Sequence, residues 1–148
     1  MTTASRYLHN CLYFTANSLA RNIGKMADMA FKGTGLSPSH AFMMVLINEQ
    51  PGITQKELSE HLALAPSTLT RFADKLVYNG FIEREQKGKI VRIYPTREGA
   101  ELTPAIENAW KTLHDQYSKV LGTEKGHELT SLIDQANQQL ENLGEFSR

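Results

Sequence analysis

The stretch "TQKELSEHLALAPSTLTRFADKLVYNGFIERE", Thr54 to Glu85, decides the fold. It opens on Thr54 with Glu57 three residues later, the pattern by which a side chain and a helix start satisfy each other's backbone donors. Leu58 and Leu62 give that short helix a buried side. Ala63 to Ala65 is a tight connection, and Pro66 opens a second helix where its missing N–H costs nothing. Leu69, Phe72, Ala73 and Leu76 then fall at i, i+3, i+4 and i+7, one inward stripe. Ser67, Arg71, Asp74, Lys75 and Tyr78 fall opposite it, with Thr68 and Thr70 on the flanks. Gly80 stands where a left-handed residue ends a helix. "FIEREQ" and "KIVRIYP" around Lys87, Gly88 and Lys89 then read as a hairpin.

Two short helices, a tight turn and a hairpin make a winged helix-turn-helix. A helix of this kind presents its first turn to base edges in the major groove. Arginine forks onto guanine, and serine and threonine hydroxyls donate or accept as the base requires. The expected DNA contacts on this helix are therefore Ser67, Thr68, Thr70, Arg71 and Lys75. Ser67 and Thr68 have a second reading as plain helix-start chemistry, and Lys75 one as a solvated charge. Gln55 and Lys56, at the start of the preceding helix, can anchor a phosphate or stand as ordinary surface. On the hairpin, Arg84, Lys87, Lys89 and Arg92 are placed to follow phosphates or enter the minor groove.

Charge agrees with this locally and not globally. Sixteen Lys and Arg balance sixteen Asp and Glu over 148 residues. Between Pro66 and Arg97, however, seven cationic residues face three acidic ones. One surface therefore suits a polyanion and the remainder something else.

Outward from this segment the chain is helical. Leu8, Cys11, Leu12, Thr15, Leu19, Ile23, Met26 and Ala30 recur every three or four residues, predicting one long helix over 5–31. Ser37 caps a helix with Pro38 at its first position, whose core face is expected to be Phe42, Val45 and Leu46. Beyond Thr96, Leu102, Ile106, Trp110, Leu113, Tyr117 and Val120 step helically, with a kink or a late start capped by Thr103 at Pro104. A last helix comes after Gly122 and carries Leu129, Leu132, Ile133, Ala136, Leu140 and Leu143. The expected fold is mainly α with a small β-hairpin wing, in the order α-α-α-α-β-β-α-α. It is one domain over 1–148, with a DNA-binding lobe at 37–97 flanked by helices at 5–32 and 98–145.

Composition excludes several classes. Apolar runs are far shorter than a membrane span needs, and "MTTASRYLHN" lacks the pattern of a signal peptide, so a cytoplasmic protein is expected. One cysteine, Cys11, cannot build a disulfide framework. The five histidines lack metal-ligand spacing, no phosphate loop or nucleophile elbow occurs, and no cofactor is implied. An enzyme is not expected, for want of a convergent catalytic set.

The segment from Thr54 to Glu85 resembles the core of the MarR family of regulators, with its pattern t-x-x-e-L-a-x-x-l and then s-t-v-t-r-x-x-d-x-L-x-x-x-G-l-v-x-R. The resemblance implies a homodimer, in which N- and C-terminal helices of two chains intertwine and two winged motifs bind a pseudo-palindromic operator in double-stranded DNA. It also implies a transcriptional regulator, by family tendency a repressor. Independently, the flanking helices carry more apolar stripe than one small motif can cover. Family wings usually hold an Asp-x-Arg pair before Leu-Thr. Here no aspartate lies between Arg84 and Thr96, and Pro95 takes the usual leucine's place, so a compact wing is expected, with Lys87, Lys89 and Arg92 as substitutes. The other class for this segment is a winged-helix protein-interaction module without DNA binding.

Two kinds of signal are open. Cys11, in "HNCLYFTANSLAR", is similar to the helix-1 cysteine of the one-cysteine, organic-peroxide-sensing branch, where oxidation at a packed seam releases DNA. Of that branch's tyrosines only Tyr13 is near, and Thr15 and Lys25 stand at the other spacings; a cysteine on an apolar stripe is also ordinary core. The alternative is a small aromatic ligand in a cleft lined by Tyr13, Phe14, Phe42 and Met43, which read equally as core.

Overall fold

The computed structural model describes residues 2–143. In chain order it has α1 (Thr3–Asn10), α2 (Leu12–Phe31), α3 (Pro38–Glu49), β1 (Ile53–Thr54), α4 (Gln55–Leu62), α5 (Pro66–Tyr78), β2 (Ile82–Lys87), β3 (Ile90–Pro95), α6 (Arg97–Ala100), α7 (Thr103–Leu121) and α8 (Thr123–Glu141). A 3-10 turn over Lys32–Thr34 succeeds α2. The fold is a mainly helical winged helix. The last residues of the expected 98–145 segment lie outside the described residues.

The lobe is built as the residue pattern requires. Ser37 caps α3 by accepting from the His40 amide, and Thr54 caps α4 by accepting from the Glu57 amide. Leu58 of α4 and Leu69, Ala73 and Leu76 of α5 are buried, with Phe72 packed against the same cluster. α4 ends on Ala63 at φ 52, a left-handed conformation that a Cβ disfavours by about 1–2 kcal/mol. That residue turns the chain so that the Leu64 amide returns to the Ser59 carbonyl at 3.0 Å. α5 ends in the same way. The Phe81 amide bonds the Leu76 carbonyl at 2.9 Å and the Gly80 amide bonds that of Val77 at 3.0 Å, with Gly80 at φ 80.

β2 and β3 are antiparallel, with Lys87 opposite Ile90, so only Gly88 and Lys89 form the turn. Gly88 has φ 62, as a two-residue hairpin loop demands. The compact wing expected from the short run is therefore present. The sheet also holds a third strand that the residue pattern does not announce: β1 pairs with β3, in the order β1-β3-β2. Two residues are too few to show alternation.

Four expectations need correction. The long first helix breaks at Cys11, whose φ −102 and ψ 124 are extended, so Cys11 lies between α1 and α2 and not on a helix. Apolar spacing is preserved across the break and cannot report one residue leaving the helical conformation. The core face of α3 is not centred on Phe42, Val45 and Leu46, of which Val45 and Leu46 are only partly buried against the core. His40, Ala41, Met43, Met44 and Ile47 are buried there, because α3 is surrounded on several sides, while Phe42 is 38% exposed. Beyond the wing, Thr96 caps the short α6 by accepting from the Gly99 amide. α7 starts late, one of the two options expected, but it begins at Thr103 with Pro104 second, so Thr103 is helical and gives no cap.

Where the lobe joins the flanking helices, backbone meets backbone. A Cβ on Gly99 would lie 2.0 Å from the Phe81 carbonyl oxygen. That carbonyl also accepts from the Thr96 amide at 3.0 Å, and the Thr96 hydroxyl donates to the Gly80 carbonyl at 2.6 Å. Gly99→Ala should lower the free energy of unfolding by about 3 kcal/mol, the upper range for overpacking, since a carbonyl in a turn cannot step aside. Gly33→Ala, whose Cβ would meet nothing within 4 Å, should change it by less than about 0.5 kcal/mol. Urea denaturation of both variants checks the pair.

Candidate nucleic-acid interface

The first turn of α5 begins at Pro66 behind Ala65, and no side chain caps it. Ser67 is exposed and Thr68 half-exposed. Neither hydroxyl has an intramolecular partner among the described residues, so the helix-start chemistry open to them goes unused. Thr70 differs, because its hydroxyl donates to the Pro66 carbonyl at 2.9 Å and keeps only its acceptor side outward. Arg71 and Lys75 are exposed on the same face, one and two turns on. Opposite them the Leu69, Ala73 and Leu76 stripe holds the helix down.

The wing's cations are less available than their number suggests. Arg84 donates to Asp74 of α5 at 2.6 Å, tying the wing to the helix beside it. At partly exposed positions such a pair is worth about 1 kcal/mol or less, so it serves orientation more than stability. The wing arginine is thus anchored by an aspartate after all, one contributed by α5 and not by the wing. Lys87 pairs with Glu85 at 3.3 Å. Arg92 donates to the Gly52 carbonyl at 2.9 Å and stands opposite Glu85 across the ladder. Lys89, at the turn, has no such partner among the described residues. At the start of α4, Lys56 is exposed, while Gln55 is half-buried with its Oε1 unpartnered.

Behind α5 lies a group that sequence reading passed over. His40 of α3 is 8% exposed and stacks on Phe72 with ring centroids 4.2 Å apart. Its Nδ1 meets the Ser37 hydroxyl. That hydroxyl also accepts the His40 amide, and the other ring nitrogen, Nε2, is buried without a partner. Burial, and secondarily the Lys75 charge, lower the His40 pKa.

The four residues expected to line one ligand cleft are not brought together. Met43 is fully buried in the core. Tyr13 lines a trough of about 780 Å³ between α2, α7 and α8, with Phe14 edge-on to it. Phe42 lines a separate cleft of about 450 Å³ between α3 and α7, with Val45, Ile106, Glu107, Trp110 and Lys111. Sequence reading missed these five because the pairing of α3 with α7 is long-range. Cys11 is half-buried. Among the described residues no cluster of three metal-ligating side chains occurs, and no helix is long and apolar enough to cross a membrane.

Residues 36–89 match the sequence profile of the MarR family. The lobe is a MarR-family winged helix-turn-helix. Over these residues the chain carries the DNA-binding lobe of a MarR-type transcriptional regulator. It is 25% identical over 131 residues to the uncharacterized HTH-type transcriptional regulator YybA of Bacillus subtilis (strain 168), covering 86% of this chain and 87% of that one. Its fold is similar to the transcriptional regulator SlyA, at 23% identity and TM-score 0.77 over 93% of this chain and 99% of that one. It is also similar to the transcriptional repressor CouR bound to a 23-mer DNA duplex, at 18% identity and TM-score 0.78 over 88% and 95%.

His40 gives this MarR lobe a pH dependence of fixed sign. Its folded pKa is lowered, so the unfolded chain takes up its proton first. The stability tied to neutral His40 is whole above the ordinary imidazole range and is lost as pH falls through that range toward the folded pKa. Urea unfolding at about pH 7.5 and about pH 5.5 should show wild type losing more stability on acidification than His40→Phe. Equal losses would remove His40 as the source.

Proposed function

We propose that this chain is a homodimeric, sequence-specific repressor that reads a pseudo-palindromic operator and is released by a small aromatic ligand. The observation that carries the DNA reading is the first turn of α5, where two unpartnered hydroxyls and a guanidinium stand outward on a helix pinned by its opposite face. Ser67, Thr68, Thr70 and Arg71 meet base edges, the hydroxyls and the guanidinium having complementary uses there. Lys75, Lys56 and Lys89 take phosphates, with Gln55 beside them. Arg84, Lys87 and Arg92 contribute less charge, since each already has a partner.

Pairing is supported by what the protomer leaves uncovered. Leu12 is 72% exposed, Val120 72%, Leu132 63% and Leu143 58%. The segments 5–32 and 98–145 carry these side chains, and the trough among α2, α7 and α8 is lined mostly by apolar groups. Exposed apolar surface of this extent supports an interaction site. A second copy binding there leaves the lobes at 37–97 on one side of the dimer, facing successive major grooves.

The cleft between α3 and α7 supports the effector. Phe42, Val45, Ile106 and Trp110 supply apolar walls, and Lys111 supplies a cation beside Glu107. An aromatic acid fits that composition, with its ring between Phe42 and Trp110 and its carboxylate toward Lys111. Oxidation of Cys11 by an organic peroxide is the second reading, favoured by its place at the break between α1 and α2. A sulfenic acid there adds bulk and polarity at the base of a helix whose exposed face is apolar.

Duplexes selected from random sequence test this reading. Affinity should fall steeply with salt, and Arg71→Ala should cost about 1–3 kcal/mol of discrimination at one base position. Equal weakening on every sequence would assign Arg71 to phosphate instead, and absence of salt-dependent DNA binding would favour a protein-interaction module. Trp110→Ala should raise the concentration of aromatic acid needed for release about tenfold or more, given the area such a ring buries. Cys11→Ser should leave both behaviours intact and abolish any peroxide response; a response surviving in that variant excludes Cys11.

A further inference from the structure

Asn48 lies near the end of α3, far in sequence from the residues it touches. Its Nδ2 donates to the Gly99 carbonyl at 3.1 Å and to the Thr103 hydroxyl at 3.1 Å. Both partners accept, which fixes the amide's orientation and leaves its Oδ1 buried and unpartnered. Among the described residues these are the only side-chain hydrogen bonds that join α3, α4 or α5 to α6 or α7. Gly99 lies in α6 and Thr103 opens α7, so the two bonds straddle the bend at which the chain leaves the lobe for the long helices. The Gly99 carbonyl also accepts from the Leu102 amide at 3.2 Å, inside that same bend.

We infer that Asn48 is the positioning residue that sets the angle between each lobe and the dimer body, and through it the separation of the two α5 helices. This rests on the dimeric DNA-binding reading above. The tight contact of Phe81 against Gly99 fixes α6 on the wing base, and Ile106, Ala109 and Leu113 pack α7 farther along. Asn48 supplies the polar link across the bend itself. α3 and α7 run antiparallel from this point. Val45 and Ile106, each three residues from the pin, form the near end of the cleft, and Phe42 and Trp110 the far end.

The test uses the full chain and selected operators in which the half-sites stand at the selected spacing or one base pair closer or farther. Wild type should prefer one spacing. Asn48→Ala should reduce that preference about tenfold, in line with two lost hydrogen bonds, while binding to a single half-site duplex is unchanged. Thr103→Val should reduce it less and Thr103→Ser should restore it; Thr103→Val and Thr103→Ser decide the matter if Asn48→Ala does not fold. Wild type without a spacing preference overturns the dimeric reading. A wild-type preference that survives in Asn48→Ala, or in Thr103→Val where Asn48→Ala is unfolded, overturns the role of Asn48 alone.

Discussion

The Phe81 carbonyl occupies the space that any side chain at residue 99 would need. Everything on the two sides of the molecule is arranged around that contact. On the lobe side, Gly80 and Phe81 come directly after the end of α5, so the recognition helix and the wing base share one turn. Beyond it, the Thr96 hydroxyl and amide bind that turn, the same hydroxyl caps α6, and α6 packs directly onto the turn. Because backbone touches backbone, no rotamer change can relax the joint. The recognition helix, the wing and α6 are therefore placed relative to one another by covalent geometry and three hydrogen bonds.

Much of this was legible from residue patterns, and the reasons differ by element. The α5 stripe and the Gly80 stop are local, set by helical spacing and a positive φ, and both stand as expected. The short wing came from the number of residues available. The break at Cys11 was hidden because apolar spacing continues across it. The inner face of α3 was misread because a helix enclosed by several neighbours has no single stripe, as its burial of Ala41, Met43, Met44 and Ile47 shows. Long-range polar partners were beyond reach altogether. Nothing in the sequence around Asn48 or Asp74 announces Gly99, Thr103 or Arg84, since those encounters exist only once tertiary packing has formed.

Local charge also proved a poorer guide than its arithmetic. The segment from Pro66 to Arg97 carries a cationic surplus, yet Arg84, Lys87 and Arg92 each lie against an acceptor of the chain itself. Of the cations expected to meet DNA, Arg71 and Lys75 on α5, Lys56 at the start of α4 and Lys89 at the wing's turn have no such partner among the described residues. A surface of that size favours recognition by fit over bulk attraction.

The wing has no slack. Its strands are joined by two residues, its base is bonded to the end of α5, and its arginine is clamped to Asp74. Each lobe therefore behaves as a solid die whose relief is set when the protomer folds. Evolution of new target preferences in such a molecule proceeds by recarving the die face or by altering how two dies are mounted, and seldom by loosening the die.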